Sequence, residues 1–132
     1  MAKPNPDDRF YSEEHEWALD NGNGTVTVGI TDHAQELLTD IVFVELPEIG
    51  KKVAQGAAMA VVESVKSVSD VYSPVSGEVV AVNGILEDQP ELVNQDAFGD
   101  GWIAQVQMDD PSELTNLMNA SAYTVFVAEE DD

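Results

Sequence analysis

The longest unbroken apolar run in this chain covers only residues 57–62, and turn-forming residues interrupt the sequence at short intervals around it. Pro47, Gly50, Gly56, Pro74, Gly77, Gly84, Pro90, Gly99 and Gly101 separate Val-rich runs at 59–62, 79–82 and 102–108. Proline fixes φ and removes a backbone donor, and glycine accepts positive φ without a steric penalty, so each is a point where the chain turns. Many short strands separated by turns predict a mostly β fold, an antiparallel sandwich or barrel. A run of six apolar residues is also far below the ~20 needed for a membrane-spanning helix.

Local patterns refine this expectation. Residues 16–19 and 25–30 read as two strands joined by Asp20-Asn21-Gly22-Asn23-Gly24, a hairpin in which Asn and Gly tolerate left-handed backbone. Asp32 followed by Gln35 has capping-box spacing, and Ala34, Leu37 and Leu38 continue it as a short helix ending near Leu38. A strand over 40–46 comes next. Further on, Asp110-Pro111-Ser112-Glu113 sets an acidic cap before a proline at the first helical position, and Leu114, Leu117 and Met118 give that helix one apolar face. Ala122, Tyr123, Phe126 and Val127 predict a second C-terminal helix packed on the sheets. Residues 1–9 are expected to be a loose lead-in, 10–127 a single domain, and 128–132 an acidic tail.

Val, Ile, Leu and Phe make up 35 of 132 residues, enough for a packed core despite a formal net charge of −21. With 26 acidic residues against 5 basic ones, nucleic acid and anionic membranes are poor partners and neither is expected, since both require Lys and Arg to neutralise phosphate. The acidity has two readings: steering toward basic partner surfaces, or adaptation to a salt-rich cytoplasm that screens self-repulsion. The absence of cysteine removes disulfides, thiolate nucleophiles and Cys-based metal sites. With no apolar secretory core near Met1, a cytoplasmic protein is expected, and a monomer.

Lys66 is one of four lysines and lies between two strand-like halves, 61–64 and 68–71. One continuous strand there would be too long for a small domain, so the chain reverses near this residue and presents it at a hairpin tip. An exposed tip suits a lysine that is to be modified, and an anchor that holds still suits an arm that swings. The simpler alternative is a solvated side chain.

Six segments in order resemble the H protein of the glycine cleavage system: His15-Glu16-Trp17, Gly29-Ile30-Thr31-Asp32-His33-Ala34-Gln35, Asp40-Ile41-Val42-Phe43-Val44-Glu45-Leu46-Pro47, Glu63-Ser64-Val65-Lys66-Ser67, Ser73-Pro74-Val75-Ser76-Gly77-Glu78-Val79, and Gly101-Trp102. The resemblance covers residues 10–127. It implies a lipoyl-domain-like sandwich, a barrel-sandwich hybrid of two small antiparallel sheets with short added helices, some of them C-terminal. It implies lipoic acid in amide linkage to Lys66, with Glu63, Ser64, Val65 and Ser67 as the context read by a lipoate ligase or lipoyl transferase. It implies a carrier that is not itself an enzyme. A pyridoxal-phosphate-dependent glycine decarboxylase (P protein) loads the aminomethyl group of glycine onto the arm. A folate-dependent aminomethyltransferase (T protein) unloads it, and a dihydrolipoyl dehydrogenase (L protein) reoxidises the arm. Glu16, Ile30 and Asp70 match positions near the docked arm, where carboxylates would hold a protonated amine and an apolar wall would exclude water. A lipoyl relay to other enzymes and an unmodified interaction module are the alternatives.

Other chemistry finds little support. His15 and His33 lie in separate segments without a ligand spacing, so no metal site is expected and both read as hydrogen-bonded structural residues. Ser64 and Ser67 have no neighbouring His and Asp to form a triad. Trp17 and Trp102 are expected to fill the core or border the cleft.

Overall fold

Strand β1 (Phe10–Tyr11) leads into the expected hairpin, β2 (Glu16–Asp20) and β3 (Thr25–Ile30), in the computed structural model, which describes residues 5–131. The hairpin turn is closed by side chains as well as glycines. Asp20 Oδ1 accepts from Gly22 N–H and Asn23 Oδ1 from Thr25 N–H, while Gly22 and Gly24 hold φ of 85° and 90°. Helix α1 (Asp32–Leu38) follows, then β4 (Ile41–Glu45), β5 (Lys52–Val53), β6 (Ala58–Ser64), β7 (Val68–Tyr72) and β8 (Gly77–Val82). A 3₁₀ turn (Gly84–Glu87) and helix α2 (Leu92–Gln95) precede β9 (Ala104–Met108). A second 3₁₀ segment (Pro111–Asn116) and helix α3 (Ala120–Asp131) complete the chain.

The architecture is mostly β, as expected: a six-stranded sheet in the order β1-β2-β3-β9-β8-β5 and a three-stranded sheet β4-β6-β7, every pairing antiparallel. Alternation along β3 buries Val26 and Val28, which meet Val79, Ala104 and Val106 of the same sheet and Val44, Val62 and Val71 of the other in one apolar core. Burying these β-branched side chains, at about 25 cal/mol per Å² of apolar surface, is the main force joining the sheets. A second cluster centres on Tyr11, Trp17 and Tyr123, and fixes α3 against the β1–β2 edge. Tyr11 and Tyr123 stack with ring centroids 4.7 Å apart.

Several local expectations are corrected. The cap of α1 is Thr31, one residue before the expected Asp32: Thr31 Oγ1 accepts from Ala34 N–H, and Asp32 instead accepts from the Gln35 side chain. Asp110 caps as expected, accepting from Ser112 N–H, but the segment stays 3₁₀ and stops at Asn116. Leu117 is extended, and Met118 pairs with Tyr11 through two backbone hydrogen bonds of 2.8 Å. The competing pull is Glu113, whose carboxylate is drawn across to accept from Ser76 N–H and Oγ–H. The residues expected as an acidic tail extend α3 through Asp131. The expected lead-in is tied down from Asn5, which donates to Thr124 Oγ1, while the Arg9 guanidinium lies 4.7 Å from the Trp17 ring centroid and donates to Phe98 O. Residues 1–4 and 132, which belong to the expected lead-in and tail, lie outside the described residues. No helix among the described residues is long and apolar enough to cross a membrane.

Candidate functional site

The β6–β7 hairpin reverses at Val65-Lys66-Ser67, putting Lys66 at its exposed tip. Neither Val65 nor Lys66 favours a tight turn, and the side chain of Ser64 supplies what they lack. Its buried hydroxyl oxygen accepts from Lys66 N–H at 3.1 Å and from Ser67 N–H at 3.0 Å, an arrangement in which serine substitutes for backbone acceptors in a turn. Ser64 N–H donates to Ser67 O at 2.8 Å, and Val65 N–H donates to Asp40 O at 3.0 Å, which ties the tip to the start of β4. The backbone beneath Lys66 is therefore held on both sides while its side chain lies exposed at the surface. Lys66 Nζ donates to Leu37 O at the end of α1, a helix with no basic residue in its last turn. A cation there satisfies a terminal carbonyl and complements the helix dipole.

Apolar surface surrounds the tip. Val65 and Val68 are 69% and 65% exposed, and Leu37, Val42 and Phe43 are exposed as well. Glu63 pairs with Phe43 on β4 and with Val68 on β7, so these three residues form a row across the small sheet.

Glu16 and Ile30 pair directly across β2 and β3, and both are closed off, at 1% and 4% exposure. The Glu16 carboxylate bridges the sheets: Oε1 accepts from the Ser12 hydroxyl and Oε2 from Tyr72 N–H on β7. Burial pushes its pKa up to about 7, although these two hydrogen bonds favour the ionised form and partly oppose the rise. Asp70 stands two residues before Tyr72 on the same strand, opposite Val61, with its side chain exposed. It borders a shallow recess of about 150 Å³ whose lining includes Glu45, Lys51, Met59 and Val61. Glu16 and Ile30 thus come together, and Glu16 reaches the strand of Asp70, while Asp70 itself faces a separate recess.

The two histidines converge. His15 and His33 have ring centroids 4.9 Å apart, and Glu130, from the last turn of α3, lies against both. Sequence spacing did not reveal this trio because its members come from a loop, α1 and the C-terminal helix. One signal was present: Glu130 continues the spacing of Tyr123, Phe126 and Val127, which places it on the packed side of α3. Trp17 is buried as expected, its indole N–H shared between Ile30 O and Ala97 O, and Trp102 borders a recess with Asn83, Ile85 and Leu92.

Comparison with known proteins extends over the same residues. The family described as glycine cleavage H-protein matches residues 9–130. A glycine cleavage system H protein of Idiomarina loihiensis is 56% identical over 125 residues, covering 95% of this chain and 97% of that one. One from Chromohalobacter salexigens is 54% identical over 122 residues, covering 92% and 93%. The crystal structure of a glycine cleavage system H protein from Mycobacterium marinum superposes with a TM-score of 0.83 at 41% identity, covering 92% of this chain and 97% of that chain. A family match over residues 9–130, relatives more than half identical along nearly the whole sequence and a shared fold agree: the chain belongs to the glycine cleavage H-protein family.

Proposed function

We propose that this protein is the lipoyl carrier of the glycine cleavage system, with lipoate joined by an amide bond to Lys66. The observation that carries the reading is the tip itself, where an exposed amine stands on a backbone clamped by the Ser64 hydroxyl and by Asp40 O. The amine is suitable for acylation: it is exposed, its surface hydrogen bond to Leu37 O gives way when a lipoate ligase or lipoyl transferase approaches, and Glu63, Ser64, Val65 and Ser67 give that enzyme a fixed hairpin to read. When bound, lipoate supplies a redox-active disulfide on a long arm, a chemistry that no side chain of this cysteine-free chain has.

In this role the chain is not an enzyme. It accepts the aminomethyl group of glycine from a pyridoxal-phosphate-dependent decarboxylase, delivers it to a folate-dependent aminomethyltransferase, and returns to its starting state through a dihydrolipoyl dehydrogenase, in a cytoplasmic setting. The exposed valines beside Lys66 give those partners an apolar contact next to the anchor. Asp70, exposed on β7, offers a carboxylate to the protonated amine of the cargo, while Glu16 and Ile30, closed off from solvent, support the sheets behind that strand.

The test combines mass and exchange. Intact mass of protein made in lipoylating cells should show one lipoyl group, lost in Lys66→Arg, and only the loaded form should support glycine-dependent carbon dioxide exchange with the decarboxylase. Loading without exchange would move the role to a lipoyl relay; absence of the lipoyl group would end the carrier reading.

A further inference from the structure

We infer that His15, His33 and Glu130 form a binding site for a divalent transition metal, with zinc the best fit, at a position separate from Lys66. One ligand atom from each residue can be chosen so that all three lie within 4.8 Å of one another. His15 Nε2 is 2.9 Å from Glu130 Oε1, and His33 Nε2 is 3.8 Å from the same oxygen. Ligands bonded to tetrahedral zinc at about 2.0–2.1 Å stand about 3.3 Å apart, so small side-chain rotations bring these atoms into place. Two imidazoles and one carboxylate, with water in the fourth position, are a donor set suited to zinc and to its neighbours nickel and copper, and poorly suited to magnesium or calcium.

Two observations make this more than a crowded corner. The first is that His33 Nε2 is buried without a hydrogen-bond partner among the described residues. A buried polar atom left unsatisfied is costly, and a nitrogen lone pair directed at a neighbouring imidazole and carboxylate is satisfied by a cation between them. The second is the support around His15. Its Nδ1 is 2.7 Å from Tyr123 Oη, which in turn is 2.8 Å from Thr31 Oγ1. In the metal-free fold His15 Nε2–H donates to Glu130 Oε1 at 2.9 Å; a metal that displaces this proton leaves Nδ1–H donating to Tyr123 Oη, which in turn donates to Thr31. That relay has the form of the outer hydrogen bonds that orient metal-binding histidines. The ring is also packed by Tyr123 and Phe126, so its orientation is fixed before any metal arrives.

A metal here would join the loop before β2, helix α1 and the last turn of α3, three segments far apart in sequence. Its effect would be to hold the C-terminal helix against the domain and raise stability by mass action.

The experiment uses the full chain stripped with chelator, titrated with zinc by calorimetry in excess magnesium, which occupies loose carboxylate sites. Cobalt absorption serves as a second readout. The expected result is one equivalent of zinc, a visible cobalt band of tetrahedral intensity, a higher Tm with zinc, and affinity weakened at least about tenfold in His33→Ala and in Glu130→Gln. His33 Nε2 has no hydrogen-bond partner to lose, and Glu130→Gln keeps a carbonyl oxygen for His15 Nε2–H, so both variants should keep the metal-free fold, checked by circular dichroism. Zinc uptake that does not saturate at one equivalent, or that is unchanged in both variants, would overturn the assignment and reduce the binding to adsorption on an acidic surface.

Discussion

Glu16 is a buried carboxyl in a chain whose other acids are mostly at the surface, and its environment makes a pH-dependent contribution that can be isolated. Its folded pKa is raised from 4.5 to about 7, chiefly by burial. Below pH 4.5 the carboxyl is neutral in both folded and unfolded chains and the fold has its full stability from this site. Between 4.5 and 7 the unfolded chain ionises first, so stability falls with rising pH, and above 7 the loss levels off. A displacement of this size corresponds to on the order of 3 kcal/mol. Glu16→Gln removes the charge and keeps one carbonyl oxygen for Tyr72 N–H, with the amide N–H₂ turned toward the Ser12 hydroxyl oxygen, which can accept. Urea unfolding across pH 4.5–7.5 should therefore show a steeper loss in the parent than in the variant, and equal slopes would mean that Glu16 is not buried as described. The sequence placed Lys66 at a hairpin tip correctly, because two strand-like halves around one lysine leave few alternatives. The environment of Glu16 was not legible, since its partners Ser12 and Tyr72 are set by the meeting of two sheets.

At the level of elements, strands followed from Val-rich runs and turns, while the shortest elements escaped detection. β1 and β5 have two residues each and exist only through their pairing with β2 and β8. Helix caps were legible as residue types, but position was not: Thr31 and Asp32 can both cap, and Thr31 prevails because its hydroxyl also meets Tyr123 from α3. Close packing between strands gives a sharper test. A Cβ on Gly77, at the start of β8, would lie 1.9 Å from Gln107 O in β9, and backbone cannot move aside as a side-chain end can. At Gly84 nothing lies within 4 Å of the same atom. Gly77→Ala should cost about 3 kcal/mol or more, and Gly84→Ala less than about 0.5 kcal/mol, in denaturant titrations of the two variants. Similar costs at both sites would show that β8 and β9 are not in the register described.

Charge acts on the whole molecule. Among the described residues, ion pairs include Arg9 with Asp8 and Lys52 with Glu78, which leaves most of 26 acids facing water and one another. Their mutual repulsion is present in the compact state and weaker in an expanded one, so it subtracts from stability in dilute buffer. Raising salt from about 0.01 M to about 1 M shortens the screening length from about 30 Å to about 3 Å and removes most of this penalty. Recovery of about 2 kcal/mol would raise Tm by roughly 8 °C for a chain of this size. Chloride salts are the right agents, because sulfate strengthens apolar burial in its own right. Neutralising exposed Glu36, Glu48 and Glu87 together to Gln should raise Tm at low salt and flatten its climb, which ties the effect to repulsion. A Tm that stays flat or falls with chloride would assign the acidity to steering toward basic partner surfaces, and association with a basic partner should then slow with the same salt.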